Sequence, residues 1–332
     1  MSRIAQNHCA EAPRKSLYDE VTAKIVAELE EGIVPWVQPW GSGAPSALGL
    51  PRNAASGRAY SGINILILWG RLFDGGFASQ NWLTFRQATA LGGSVRKGER
   101  GVGVCYANRF APKERRARSA SSGRGSGEGQ GRGQEQGAGE EACTIPFLRR
   151  YTVFNVAQCE GLPDHSLANA PELPEWQIVP EAEALTRATL ADIRHGGDQA
   201  FYDPVADIVQ LPPQPAFFDQ INYYRTKFHE LGHWTGHHSR LDRDQTGAFG
   251  SKLYAIEELV AELTAAFVCA TLSIQPTVRH VDYIGNWIDV LRADNRAVFR
   301  AASKASKAAD LLLSFRSPPA MTPEREGEPS TP

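Results

Sequence analysis

Residues 219–238 read DQINYYRTKFHELGHWTGHH, and within them lies His229-Glu230-Leu231-Gly232-His233. On a helix, side chains four apart project from one face, so His229 and His233 would present two imidazoles to one ion. Glu230 sits about 100° further round the axis from His229. From there it reaches a metal-bound water instead of ligating the metal. Two helical histidines with this glutamate between them suit a Zn2+ cofactor and a glutamate general base, the chemistry of a zinc peptidase. A catalytic zinc site takes three protein ligands and keeps one position open. One ligand must therefore come from outside this stretch.

Residues 254–265, YAIEELVAELTA, supply the candidate. Glu258 and Glu262 are four apart, on one face of a helix whose Leu259, Val260 and Leu263 belong in a core. Unpaired carboxylates are costly there. Glu258 is the expected third metal ligand. Glu262 is the expected acceptor for the outer ring nitrogen of a liganding histidine, fixing its tautomer. The competing reading is an ordinary acidic helix face. His237 is in phase with the histidine pair but ~12 Å of helical rise beyond His229, and could join only if the helix broke at Gly236. His238 is one residue out of phase, and Ser239 stands where a third histidine would follow in a related form of the motif. The oxyanion of peptide hydrolysis needs a donor beyond the metal. His280 and Tyr283 in VRHVDYIGNW, or Tyr254, could supply it, and each could equally be a packing residue. Asp242 and Asp244 read as loop carboxylates with no assigned role.

Outward from the motif, helices are expected over 219–237, 254–272, 277–292 and 294–315. Upstream, AFYDPVADIVQLP (200–212) reads as two short strands around a turn, and 180–193 as a helix with Pro180 in its first turn. Pro163, Pro171, Pro174 and Pro180 mark a domain boundary. Before it, 18–31 is an amphipathic helix stopped by Gly32, and VPWVQPW (34–40) holds Trp36 and Trp40 on a stiff extended piece. Periodicity does not decide whether YSGINILILW (60–69) is a buried strand or a short helix. A helix capped by Thr84 follows, then a turn and a strand over 95–110, with 148–156 as a strand beside 101–106. Residues 115–142 hold eight glycines and no aromatic or β-branched residue, and read as a disordered surface insert between those strands. The expected fold is α+β in two domains: a small α+β domain over 1–163, a mainly helical metallopeptidase domain over 164–317, and a flexible tail over 318–332.

The net charge of −2 over 332 residues conceals an asymmetry. Residues 1–163 carry 20 Lys and Arg against 14 Asp and Glu, and the remainder 15 against 23. The basic half leaves nucleic acid open as a partner. It interleaves Trp36, Trp40, Tyr60, Trp82 and Phe85 with Arg86, Arg96, Lys97 and Arg100. Bases stack on rings while phosphates meet cations in single-stranded-DNA binding, although tryptophans at such spacings also serve as core. The order GxxxxGK[ST] of a phosphate-binding loop is absent. Five cysteines with no CxxC spacing argue against a disulfide framework or a thiolate metal site. No apolar run approaches the ~20 residues of a membrane span. The expectation is a cytoplasmic protein without membrane association, monomeric by default because no heptad seam appears.

Taken together, YDEVTAKIVAELEEGIVPWVQPW, NWLTFRQATALGGSVRKGERG, YTVFNVAQCEGLP, YYRTKFHELGHWTGHHSRLDR and YAIEELVAEL are ordered blocks over about residues 18–316. In these the chain resembles antirestriction proteins of the ArdC type. The resemblance implies an N-terminal single-stranded-DNA-binding domain and a C-terminal zincin-like metallopeptidase domain. It also implies a place on conjugative plasmids and protection of incoming DNA from host restriction. The protein substrate would be unknown, with a host restriction or defence component as one possibility. His229, Glu230 and His233 match the family's zinc helix, and EELVAE (257–262) its glutamate helix, with the ligand at Glu258. The same N-terminal domain occurs in plasmid primase-like proteins, so a DNA-binding protein whose metal site is only structural is the alternative. A metal-dependent nuclease is disfavoured, since nucleases commonly use two-metal, carboxylate-rich sites and one cluster is present.

Overall fold

The computed structural model describes residues 16–36, 49–110, 145–163, 179–217, 220–274 and 283–316. Helix α1 (Leu17–Glu30) starts where Ser16 and Asp19 cap each other, the Asp19 amide donating to Ser16 Oγ at 3.2 Å and the Ser16 amide to the Asp19 carboxylate at 3.0 Å. It buries Ile25, Val26 and Leu29. The undecided stretch at 60–69 becomes α2 (Ile63–Gly75), ended by Gly76 at a left-handed φ of 60°. Its apolar residues face two separate cores, Leu66 and Trp69 in one and Leu68 and Leu72 in the other, which is why no single stripe marks it as a helix.

Strands β1 (Arg52–Asn53) and β2 (Asn81–Leu83) run parallel, and β2 pairs antiparallel with β5 (Ile145–Asn155). The long ladder between β5 and β4 (Val102–Phe110) completes the order β1-β2-β5-β4, with Val104 opposite Tyr151 and Tyr106 opposite Arg149. Helix α3 (Phe85–Ala90) is capped by Thr84, and β3 (Ser94–Val95) pairs with β6 (Cys159–Glu160). The insert at 115–142 and the boundary segment at 164–178 lie outside the described residues, as do Trp40, His280 and the tail from 317.

The second half opens with α4 (Pro180–Ala188), its proline at the first helical turn. The helix expected to reach 193 stops earlier. Leu190 takes a left-handed φ of 56°, and Asp192–His195 becomes strand β7, parallel to β9 (Ile208–Leu211). Strand β8 (Phe201–Asp203) pairs antiparallel on the other side of β9. Among the described residues, four helices follow: α5 (Gln220–Trp234), α6 (Lys252–Thr271), α7 (Ile284–Ala293) and α8 (Ala297–Ser314). The longest, α6, is capped by Ser251 and buried almost throughout. Among the described residues no helix is long and apolar enough to cross a membrane.

The largest apolar core does not respect the midpoint of the chain. It joins α1 and α2 to α5–α8, with Trp36 edge-on to Trp287 at 5.5 Å and Trp69 edge-on to Phe267 at 5.8 Å. Polar ties reinforce the seam: Thr22 Oγ1 donates to the Asn295 carbonyl at 2.7 Å, and the Gly62 amide to Ser306 Oγ at 2.8 Å.

Candidate metal centre

Helix α5 carries His229, Glu230 and His233, and α6 crosses it closely enough to bring Glu258 to both histidines. The crossing depends on Gly232. A Cβ there would lie 3.1 Å from the Ala261 Cα and 3.3 Å from the Thr264 Cβ, so any larger residue would push the helices apart. His229 Nε2 lies 3.4 Å from one Glu258 oxygen and His233 Nε2 3.4 Å from the other. Two ligands on a tetrahedral ion with bonds of ~2.1 Å stand about 3.4 Å apart, so the donor set and its spacing suit a divalent ion. His229, His233 and Glu258 form a group whose ligand atoms all lie within 4.8 Å of one another.

The outer ring nitrogens are also provided for. His229 Nδ1 is 3.3 Å from Glu262, as the spacing of α6 suggested, and Glu262 receives a 2.6 Å bond from buried Arg225. His233 Nδ1 has an equivalent that the sequence did not disclose: Glu257, at 3.4 Å. Glu257 is gripped by Arg243, through Nε at 3.1 Å and a terminal nitrogen at 2.7 Å, and by Gln245 at 3.1 Å. Arg243 also donates to the Gly232 carbonyl at 2.6 Å and Gln245 to the His233 carbonyl at 2.8 Å, satisfying the C-terminal end of α5. Each inward-facing histidine is thus backed by a carboxylate, and each carboxylate by a buried arginine.

This network fixes the electrostatics. Burial disfavours a charged His229, but hydrogen bonds to Glu258 and Glu262 outweigh it and raise its pKa well above the usual value. His233 is pushed up to about 9: burial again opposes, and Glu257 and Glu258 prevail. Burial works against ionised Glu257 too, but His233 and Arg243 hold it down at about 2. Glu258 is likewise held below the carboxylate range by the two histidines, against the effect of burial. Glu230 differs. Burial raises its pKa, offset only in part by the histidine charges. It faces the same cavity, about 300 Å³, and is not one of the three clustered ligands.

Tyr254 and Tyr283 also line this cavity, their hydroxyls 3.2 Å apart. His237 does not join the cluster. The helix ends at Trp234, and the His237 ring instead meets Ser239 Oγ at 2.8 Å. Asp242 adopts a left-handed φ of 47° in the turn that delivers Arg243, and Asp244 accepts from Thr246.

In the first half the tryptophans require a correction. Trp36 is 1% exposed against Trp287, and Trp82 is 0% exposed in a core with Leu68, Leu72, Val104 and Val153. Neither offers a ring face to a base. Tyr60 packs against the same core and is half-buried. Arg86, Lys97 and Arg100 are exposed, whereas Arg96 is exposed but occupied with Glu99 at 3.0 Å and the Ala157 carbonyl at 2.6 Å. Among the described residues of this half, the exposed aromatics are Phe85, beside Arg86, and the edge-to-face pair Tyr106 and Tyr151, 6.1 Å apart on the β4–β5 ladder next to Arg149. Strand pairing is the signal that would have revealed that pair.

The fold and site define a two-part protein, an α+β N-terminal unit joined to a zincin-like unit. Residues 15–154 match the N-terminal domain of anti-restriction factor ArdC, and residues 180–304 match a zincin-like metallopeptidase domain. The chain is 41% identical over 298 residues to the uncharacterised protein y4eC of Sinorhizobium fredii, covering 89% of this chain and 91% of that one. It is 38% identical to the DNA primase TraC of Escherichia coli over 91% of this chain, but spans only 20% of the primase. The crystal structure of the antirestriction ArdC protein from the R388 plasmid, metal-free, superposes with a TM-score of 0.72 at 36% identity, covering 91% of this chain and 98% of that one. The Mn(II)-bound form of that protein gives 0.71 at 35% identity, with 91% and 99% covered. The chain belongs to the ArdC family of antirestriction proteins.

Proposed function

We infer that this protein is a zinc-dependent metallopeptidase joined to a single-stranded-DNA-binding unit, acting to protect incoming DNA from restriction. The observation that carries the peptidase reading is the convergence of His229 Nε2, His233 Nε2 and the Glu258 carboxylate beside a buried, unligated Glu230. Such an ion, when bound, polarises a substrate carbonyl and activates water near neutral pH. Glu230 takes a proton from the attacking water and returns it to the amine nitrogen as the peptide C–N bond breaks, leaving a carboxylate and an amine. Burial raises its pKa in the metal-free site, which strengthens it as a proton acceptor. The Tyr254 and Tyr283 hydroxyls, both in the cavity lining, can donate to the developing oxyanion. Glu262 and Glu257 hold the histidine rings and keep their tautomers fixed. Protein reconstituted with stoichiometric zinc is expected to cut unstructured casein, and to stop when the ion is chelated. Zinc-loaded protein that leaves casein intact, with and without single-stranded DNA, would favour a metal site of purely structural value.

The DNA-binding reading is supported by the basic first half and by the exposed Tyr106, Tyr151 and Phe85 near Arg149 and Arg86. Base–aromatic stacking contributes ~1–3 kcal/mol per base. The double substitution Tyr106→Ala and Tyr151→Ala is therefore expected to weaken binding of a labelled 20-mer oligo-dT by about tenfold or more, read by fluorescence anisotropy at fixed salt. Trp36→Phe, a change inside the core, should leave that affinity unaltered.

A further inference from the structure

The rim of the metal cavity is apolar in a way its chemistry does not require. Phe201 on β8 and Leu253 at the start of α6 line it, although both side chains are exposed. Phe249 is 81% exposed and lies against the two cavity tyrosines, its ring 5.2 Å from Tyr254 and 6.4 Å from Tyr283. Val205, also exposed, follows Pro204 of the lining. These residues come from two separate parts of the chain, β8 with the turn after it and the segment from Phe249 into the first turn of α6, and both parts border this opening. Exposed apolar side chains scattered singly need no explanation, but a group of them around one cavity marks a binding surface. The charged groups among the lining residues are carboxylates and histidines, with no lysine or arginine.

We propose that this rim is a specificity subsite that takes a bulky aliphatic or aromatic side chain of a polypeptide substrate and rejects an acidic one. The inference rests on the metallopeptidase reading and adds the substrate class to it. Phe201, Leu253 and Phe249 supply the apolar wall, and Tyr254 and Tyr283 connect that wall to the metal ligands. An isobutyl group seated there leaves water, whereas an acidic side chain meets Glu230 and Glu258 with no cation on the wall to receive it.

The test uses full-length, zinc-loaded protein and three hydroxamates, those of N-acetylglycine, N-acetylleucine and N-acetylaspartate, titrated calorimetrically. The hydroxamate group chelates the ion in all three, so only the side chain differs. The leucine compound is expected to bind about tenfold or more tightly than the glycine compound, and the aspartate compound no more tightly. The double substitution Phe201→Ser and Leu253→Ser should reduce the leucine advantage to within about twofold and leave the glycine compound unaffected. Both residues are exposed, so the variant should fold. The leucine-to-glycine ratio on unaltered protein decides the question even without it. Binding of the glycine compound with no gain from leucine, or with a gain from aspartate, would overturn the subsite alone. Failure of the glycine compound to bind zinc-loaded protein would overturn the metallopeptidase reading, and the subsite with it.

Discussion

Glu230→Gln is expected to retain zinc and thermal stability while lowering casein hydrolysis by roughly 10²–10⁴-fold, the range lost when a positioned general base is removed. The two effects separate because Glu230 stands apart from the three clustered ligands: His229, His233 and Glu258 meet without it. It is 6% exposed, and burial raises its pKa. Replacing that carboxylate with an isosteric amide therefore removes a charge the fold bears at some cost, and the melting temperature should hold or rise. The substitution leaves shape and ligands in place, so a fall in rate reports proton transfer alone. Zinc content by emission spectroscopy, a melting curve and a casein time course on the same preparation make the comparison. Variant protein that holds zinc and still cuts at more than a tenth of the wild-type rate would remove Glu230 from the base role. Oligo-dT binding should be unaffected in either case, because Tyr106, Tyr151 and Phe85, on which the DNA-binding reading rests, lie on β4, β5 and α3.

What the sequence disclosed of this centre follows from helix geometry. Four-residue spacing brings His229 and His233 to one face of α5, and Glu258 and Glu262 to one face of α6. An ionisable pair inside an otherwise apolar helix is conspicuous. Glu257 was not conspicuous. It precedes Glu258, and periodicity assigns adjacent residues to different faces without saying that a second helix waits on both. Arg243 and Gln245 were further from view, because they reach the site through a loop that doubles back after Trp234, and no period encodes such a path. The tryptophans failed for a different reason. A large ring serves a core and a stacking platform equally well, and only burial distinguishes them. Trp36 and Trp82 went to the core. Tyr106 and Tyr151, 45 residues apart in sequence, emerge as neighbours only once β4 and β5 are paired. Likewise β7 was hidden by continuing a helix past Leu190, whose left-handed backbone ends it.

The largest effect on stability should come from the ion, and its size should grow with pH. In metal-free protein His229 and His233 hold protons that Glu258, Glu262 and Glu257 favour, against the opposing effect of burial. An ion can enter only as those protons leave, so about two should be released per zinc near neutral pH, and affinity should fall as pH falls. The histidine–carboxylate contribution to the metal-free fold has the opposite slope. Because the folded pKa values are raised, it is fully present below the unfolded value of about 6.5, and fades as pH climbs toward about 9, where His233 titrates. Zinc-loaded protein should thus gain on metal-free protein steadily from pH 6 to 9. With free zinc fixed at a concentration ~100–1,000 times its dissociation constant at pH 7, the ion adds about 3–4 kcal/mol there. At roughly 2–4 °C per kcal/mol, the melting temperature should rise by about 5–15 °C. Glu258→Ala, which removes the carboxylate shared by both imidazoles, should abolish most of that gap and flatten the pH slope of the metal-free form. Melting curves with zinc or with EDTA at four pH values provide the measurement. A gap that stays level or narrows as pH rises would place the ion somewhere other than on these histidines.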